Sequence, residues 1–113
     1  MTTSRKPKDK NSPLPLAGIR VVDLGWVISV PLIGRFLADL GAEVIKIESR
    51  SRLDLMRREP PLGTRQGGPD WGVAFHGLHR NKKSITLDLR SDEARMLVKK
   101  LVAVSDVVME NMT

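Results

Sequence analysis

The amino-acid sequence predicts an α/β protein built around a parallel sheet. Residues 16–49 have the pattern of strand, turn, helix and strand, which is the unit from which parallel sheets are assembled. Residues 19–24 and 42–47 are short, mostly apolar runs rich in β-branched side chains, as expected of strands covered on both faces. Because a helical crossover between neighbouring strands is right-handed and brings the chain back in the same direction, the two strands should run parallel.

The helix between these strands is predicted from the spacing of its apolar residues. Pro31 suits the first helical position, where a missing N–H loses no bond. Gly41 supplies a left-handed residue at the C-terminal end. The stripe at helical spacing consists of Leu32, Ile33, Phe36, Leu37 and Leu40, so one face of this helix should pack on the sheet.

The later elements follow a long loop. Residues 50–72 are rich in charge, proline and glycine and predict a loop with one helical turn at 53–58, followed by a short helix at 71–78. A third strand is expected at 84–89 and a fourth at 106–110, joined by a helix that Ser91 caps. The apolar stripe of that helix is Ala94, Leu97, Val98 and Leu101. About four strands and two to three helices result.

Length and charge limit the class of protein. The chain has 113 residues, no cysteine and a net charge of +6, which allows one small domain and excludes disulfide and thiolate chemistry. Half of the net charge lies in residues 1–14, which are predicted to be a disordered basic tail. This tail lacks the aromatic side chains typical of a nucleic-acid arm and the apolar core of a signal peptide. The chain also lacks an apolar run long enough to span a membrane.

The residues offer no complete catalytic set. The sequence contains neither a GxGxxG nor a Walker loop, and no serine or cysteine stands in a nucleophile context. Asp23, Glu48 and Asp88 fall near strand ends, where acid–base work is one interpretation and a cap or ion pair is the commoner one. His76 and His79 lack neighbouring acidic ligands, so surface or packing roles are expected rather than a metal site.

Two features could bind an anion. The first turn of the helix near residues 29–32 has free N–H groups that could face an oxygen, although water and capping groups satisfy such groups equally well. The second is a basic cluster that would gather several cations at one sheet edge, either as a phosphate site or as a solvated rim. Its members are Arg50, Arg52, Lys82, Lys83 and Arg90.

Four stretches resemble the N-terminal part of the family III CoA-transferases, which include formyl-CoA:oxalate and carnitine CoA-transferases and 2-methylacyl-CoA racemase. The stretches are PLAGIRVVDLGWVISVP, RFLADLGAEVIKIES, NKKSITLDLR and SDVVMEN, in the family's order and spacing. The resemblance implies a Rossmann-like large domain, of which residues 15–113 would be the incomplete N-terminal part. It also implies an interlocked homodimer in the full-length protein. The sequence stops just after the fourth strand, which likewise leads us to expect a fragment.

The resemblance implies where CoA would bind. Ile28 and Ser29 match turn residues near the thioester end, and Ser49 stands where the family has an arginine on the CoA phosphates, so the following Arg50 is the expected substitute. The segment along the CoA nucleotide and the start of the next such loop match Leu87, Asp88, Leu89, Arg90, Asn111, Met112 and Thr113. Two further departures are Val30 in place of a common glycine and Met112 in place of a common phenylalanine.

The implied function is transfer of CoA between an acyl-CoA and a carboxylic acid. In the transferases of this family an aspartate attacks the thioester, forms a mixed anhydride and then carries CoA as an enzyme thioester. That aspartate would lie beyond Thr113, so no catalytic residue is assigned here. We expect a cytoplasmic protein with no permanently bound cofactor, no metal, and no nucleic-acid or membrane partner. The alternatives are an acyl-CoA racemase of the same family and a noncatalytic basic module that binds nucleotides or nucleic acid.

Overall fold

Four parallel strands form one sheet in the computed structural model of this chain, which describes residues 11, 13–58 and 68–113. The strands are β1 (Arg20–Asp23), β2 (Glu43–Glu48), β3 (Lys83–Thr86) and β4 (Val107–Met109). They lie in the order β3-β2-β1-β4, and every neighbouring pair is parallel. The predicted α/β fold is therefore confirmed.

Within the described ranges, three helices and one 3₁₀ turn connect the strands. Helix α1 (Ser29–Asp39) follows β1, and α2 (Val73–His79) precedes β3, after the 3₁₀ turn at Leu55–Arg57. Helix α3 (Asp92–Ala103) carries the chain from β3 at one edge of the sheet to β4 at the other. The direction of winding therefore reverses between β1 and β4, and open α/β sheets bind ligands in the crevice at such a point.

The core lies between the sheet and α1. Val21 and Val44 are neighbours in register and are fully buried, with Ala38 and Ala42 packed against them. Full burial of one valine side chain contributes about 1.5–3 kcal/mol. Because side chains alternate along a strand, Asp23 points to the same side as Val21, so this face also receives a buried carboxylate.

Two boundaries differ from the prediction for physical reasons. Helix α1 begins at Ser29, so Pro31 is its third residue; the first four N–H groups of a helix have no partner within it, and proline therefore loses no bond there either. Strand β3 ends at Thr86 instead of continuing to residue 89. The Leu87 N–H still donates to the Glu48 carbonyl (2.8 Å). Because β2 ends at Glu48, it provides no further backbone partners for the residues that follow Leu87.

The caps of the helices agree with the sequence, while the outer apolar faces do not. Gly41 has a φ of 101° and ends α1 as predicted. The Ser91 Oγ accepts a hydrogen bond from the Ala94 N–H (3.4 Å) at the start of α3. Of the predicted stripe on α3, Ala94 is buried but Leu97 remains half exposed. Among the described residues, this helix thus covers its side of the sheet only in part.

Some predictions fall outside the described part of the chain. The predicted basic tail consists mostly of residues 1–10 and 12, and the predicted long loop includes residues 59–67; all of these lie outside the described residues. In the part that is described, no helix has the length and apolar character needed to cross a membrane.

Candidate functional site

A cleft of about 420 Å³ lies at the carboxyl edge of the sheet. The segments that follow all four strands contribute to it. Its apolar lining residues are Leu24, Ile47, Leu87, Leu89 and Met112. Its other lining residues are Trp26, Glu48, Ser49, Ser51, Arg52, Asp54, Asp88 and Arg90. These apolar residues, which form the apolar floor named below, and two arginines in one cleft suit a ligand that has both an apolar arm and anionic groups.

Asn111 fixes the turn that follows β1. Its Oδ1 accepts a hydrogen bond from the Trp26 N–H (2.7 Å), and its Nδ2 donates to the Trp26 carbonyl (2.9 Å) and to the Ser29 Oγ (3.2 Å). Trp26 lines the cleft, whereas Asn111, Ser29, Ile28 and Thr113 are not among its lining residues. The first two of these four predicted site residues therefore meet each other outside the cleft lining.

Asp54 holds the same turn from the other side. Its Oδ2 accepts a hydrogen bond from the Val27 N–H (3.2 Å) and its Oδ1 accepts one from the Met56 N–H (2.9 Å). Asp54 is buried, and the second bond caps the 3₁₀ turn. This role of Asp54 is not predictable from the sequence, because a carboxylate within a charged loop carries no local signal of such a contact.

The structure separates the two arginines that follow β2. Ser49 and Arg52 pair as an antiparallel bridge, so the chain makes a tight turn through Arg50 and Ser51. Arg52 lines the cleft with its guanidinium 4.7 Å from the centre of the Trp26 ring, a cation–π contact. Arg50 instead lines a separate depression beside Leu53, and Ser49 borders both spaces. Arg52, not Arg50, is thus the cleft arginine of this turn.

Asp88 and Arg90 form an ion pair at the rim. The Arg90 Nη2 lies 2.7 Å from one Asp88 oxygen, and its Nε lies 3.0 Å from the other. Hydrogen bonds from Arg90 lower the pKa of Asp88 to about 2. Both side chains are exposed, Arg90 the more so, so an anion entering the cleft could replace the carboxylate without desolvating the arginine further.

Lys82 and Lys83 do not join this rim, which corrects the expectation for part of the basic cluster. Lys82 precedes β3 and Lys83 is its first residue, and the amino ends of parallel strands lie opposite the edge that carries the cleft. Lys83 pairs with Glu43 (2.6 Å). The Lys82 side chain is buried, with its Nζ 2.7 Å from Asp23 Oδ2.

All three strand-end carboxylates are engaged in ion pairs, as the commoner interpretation predicts. Asp23 pairs with Lys82, and Asp88 pairs with Arg90. Glu48 receives two hydrogen bonds from Arg57, at 2.8 and 2.9 Å. The pKa of Glu48 is lowered because these bonds outweigh the effect of its burial, although burial is the largest single influence.

The histidines also have packing roles. The His79 ring lies 4.3 Å from the Phe75 ring, and its Nδ1 is 3.0 Å from Lys82 Nζ. Burial, followed by the charge of Lys82, lowers the pKa of His79 to about 3, so the ring is neutral and Nδ1 accepts. His76 is exposed, with Nε2 2.6 Å from the Asp70 carbonyl oxygen. Among the described residues, no group of three potential ligands could hold a metal ion.

These features define an α/β protein with an open parallel sheet and a cleft at the carboxyl edge of that sheet. The model of CoA-transferase family III matches residues 16–113. The chain belongs to CoA-transferase family III, and the resemblance seen in the four sequence stretches is confirmed.

Curated relatives are similar over nearly the whole chain. The succinyl-CoA–L-malate CoA-transferase alpha subunit of Chloroflexus aurantiacus is 45% identical over 87% of this chain and 22% of its own length. The succinate–glutarate CoA-transferase of Agrobacterium fabrum is 42% identical over 86% of this chain and 25% of its own length. The chain therefore spans about a fifth to a quarter of the relatives that it matches.

Solved structures share the fold. A CaiB/BaiF family protein from Brucella suis matches with a TM-score of 0.72 and 41% identity, over 88% of this chain and 26% of that one. A hypothetical protein from Mycobacterium tuberculosis matches with a TM-score of 0.69 and 35% identity, over 87% and 25%. The four-stranded sheet thus corresponds to about a quarter of each of these larger chains.

Proposed function

We propose that this chain forms the CoA-binding part of an enzyme that transfers CoA between an acyl-CoA and a carboxylic acid. The observation that carries the proposal is the cleft, in which an apolar floor lies beside Arg52 and Arg90. CoA combines phosphate groups with a long, weakly polar pantetheine arm. Arginine fits phosphate oxygens with paired N–H donors, and the floor fits the arm.

The proposed orientation follows the order of the segments around the cleft. Leu87, Leu89 and Arg90 would lie along the nucleotide of CoA, with Arg52 on a phosphate. Trp26 and Met112 would lie nearer the thioester end, beside the start of α1. In this arrangement Asn111 and Ser29 support the Trp26 turn through their mutual hydrogen bond, and Ile28 lies on its outer side. Val30 packs against Gly25 and does not line the cleft.

We place the aspartate nucleophile outside these 113 residues. The three strand-end carboxylates of the described chain are engaged by Lys82, Arg57 and Arg90, which leaves them poorly suited to attack a thioester. Residues 15–113 would accordingly be an incomplete large domain. The interlocked homodimer and the cytoplasmic location, both of which came from the sequence, stay predictions.

The alternatives receive less support. A racemase of the same family would need a pair of groups that transfer a proton. His79 is poorly suited to be one of them, because its Nδ1 faces Lys82. A nucleic-acid module would need a continuous basic surface, whereas Lys82 and Lys83 pair with acidic side chains.

The test is calorimetric titration of the purified 113-residue chain with CoA and with 3′-dephospho-CoA. We expect saturable binding of CoA, and weaker binding of the analogue, because one phosphate contact is lost. Acyl-CoA and acceptor acid incubated with the same chain should give no turnover. Absence of saturable binding, or equal affinity for single-stranded DNA, would contradict the proposal.

A further inference from the structure

Three buried charged side chains lie beneath the turn that carries Trp26. Asp23 is 0% exposed and Lys46 is 3% exposed, and the side chain of Lys82 is 1% exposed. Lys82 Nζ is 2.7 Å from Asp23 Oδ2, and Lys46 Nζ is 4.0 Å from Asp23 Oδ1. Buried ion pairs contribute little net stability, since desolvation offsets their attraction. The hydrogen bonds that these three side chains make to the backbone indicate a role other than stability.

Each of the three also bonds the backbone of the turn. Asp23 Oδ1 accepts a hydrogen bond from the Gly25 N–H (2.8 Å), and Lys46 donates to the Gly25 carbonyl. Lys82 donates to the Pro31 carbonyl (2.8 Å). The charged groups thus fix the backbone at both ends of residues 25–31, which comprise the turn after β1 and the first three residues of α1 and are called the 25–31 turn below.

The turn between these ends is compact and strained. A Cβ on Gly25 would lie 2.3 Å from Val30 Cγ1, which shows that the Val30 side chain packs directly on the Gly25 backbone. Val27 has a φ of 64°, a conformation that β-branched residues rarely adopt. A strained backbone conformation of this kind persists only where contacts from the surrounding structure hold it in place. The hydrogen bonds with the buried charges, and the hydrogen bond that the Val27 N–H donates to Asp54 Oδ2, provide that constraint.

We propose that Asp23, Lys46 and Lys82 are positioning residues that hold the 25–31 turn so that Trp26 forms a wall of the CoA cleft. None of the three lines the cleft, so they act on the ligand only through the turn. The inference rests on the proposed CoA site. It extends that proposal by assigning a ligand-binding role to charges that touch no ligand.

The test separates positioning from stability by removing the two paired charges together. The double variant Asp23→Asn/Lys82→Met keeps similar shapes but eliminates both the ion pair and the strong bonds to the turn. Trp71→Phe is introduced throughout, because it leaves Trp26 as the single tryptophan. The matched control is Arg20→Met/Glu43→Gln, which removes the ion pairs of Glu43 with Arg20 and with Lys83, both at 2.6 Å, from the opposite end of the sheet.

Two readouts are measured in variants whose far-UV circular dichroism matches that of the parent. We expect the double variant to bind CoA about tenfold more weakly, as misplaced binding groups do, and to shift the Trp26 emission. The control should retain both properties, whatever its melting temperature. Lys46→Met provides the same test at the Gly25 end if the double variant does not fold.

The outcomes distinguish this inference from the proposed function. Unchanged CoA affinity and unchanged emission in the double variant would overturn the inference and limit the cluster to stability. If both the unaltered chain and the Trp71→Phe parent fail to bind CoA, the proposed function is wrong, and the emission still decides the positioning role. A shift that appears in the double variant and not in the control supports positioning even then.

Discussion

Arg50 and Arg52 are two residues apart, yet they face different spaces. Arg52 lies on the Trp26 ring in the cleft, while Arg50 lines a depression beside Leu53. The tight turn between Ser49 and Arg52 is the cause, since it brings these two residues together and leaves Arg50 outside. The two side chains have the same charge, so they provide a matched comparison.

Arg52→Met is therefore expected to weaken CoA binding by about tenfold, the order of a lost charge-assisted hydrogen bond. Arg50→Met should change the affinity by less than about twofold, because a distant exposed charge is screened by salt. Calorimetric titration at one fixed salt concentration measures both. Equal losses in the two variants would indicate a nonspecific effect of charge and remove Arg52 from the site.

Asp88 and Arg90 form the second residue-scale feature of the rim. Since the pKa of Asp88 is lowered to about 2 by Arg90, the carboxylate is charged at neutral pH and competes with a ligand phosphate. We expect Arg90→Ala to weaken CoA binding and Asp88→Asn to strengthen it. Titrations with CoA check both signs. Weaker binding by the Asp88→Asn variant would show that the carboxylate orients Arg90 instead of masking it.

At the scale of elements, Gly34 marks a close approach of α1 to side chains of the sheet. A Cβ there would lie 3.0 Å from Asp23 Oδ2, from Lys82 Nζ and from Met109 Cε. The glycine thus allows the helix to pass over the buried ion pair. This role was not predictable, because a glycine within a helical pattern has several common explanations.

Gly34→Ala should lower the free energy of unfolding by about 1–3 kcal/mol, the usual effect of overpacking. Gly77→Ala in α2 is the matched control, since a Cβ at Gly77 meets no atom within 4 Å. The control should raise stability by about 0.5–1 kcal/mol through the better helix propensity of alanine. Urea unfolding monitored by circular dichroism measures both. A neutral result for Gly34→Ala would mean that α1 shifts to accommodate the methyl group.

At the scale of the whole molecule, His79 links stability to pH. Its pKa is about 3 in the folded chain, against 6.5 for an ordinary histidine. Between these values the unfolded chain binds a proton that the folded chain does not, so the free energy of unfolding falls as the pH falls. Carboxylates whose pKa is lowered in the folded chain, such as Glu43 and Glu48, reduce the free energy of unfolding only below about pH 4 to 5.

Unfolding free energy should therefore decline from about pH 6.5 to pH 5 in the parent and much less in His79→Asn. Asparagine can place its Oδ1 near the position of the His79 Nδ1 and continue to accept a hydrogen bond from Lys82, but it does not titrate. His76→Asn, at the exposed histidine, should retain the slope of the parent. Denaturant titrations at several pH values give these slopes. An equal slope in the His79→Asn variant would assign the pH dependence to other groups.

The sequence by itself determined the fold and the general position of the cleft. The β-branched runs at 19–24 and 42–47 and the stop at Gly41 are local patterns, and local patterns specify local structure. The apolar stripe predicted the helix α1 but not its buried face, which consists of Pro31, Gly34 and Ala38, while Ile33, Phe36 and Leu40 are about half exposed. Carboxyl ends of parallel strands meet at one edge, so the order of the elements places the segment at 87–90 there. Six of the predicted site residues do line the cleft, namely Ser49, Leu87, Asp88, Leu89, Arg90 and Met112.

Only the tertiary structure decided which polar groups meet. Arg52 rather than Arg50 enters the cleft because one tight turn alternates their directions. Lys82 leaves the basic cluster because its long side chain reaches across the face of the sheet to Asp23, 59 positions earlier in the chain. Such contacts join residues far apart in sequence, and a pattern that repeats over two to four residues contains no information about them. The physical reason is that periodicity reports which face a residue occupies, whereas burial and pairing depend on what packs against that face.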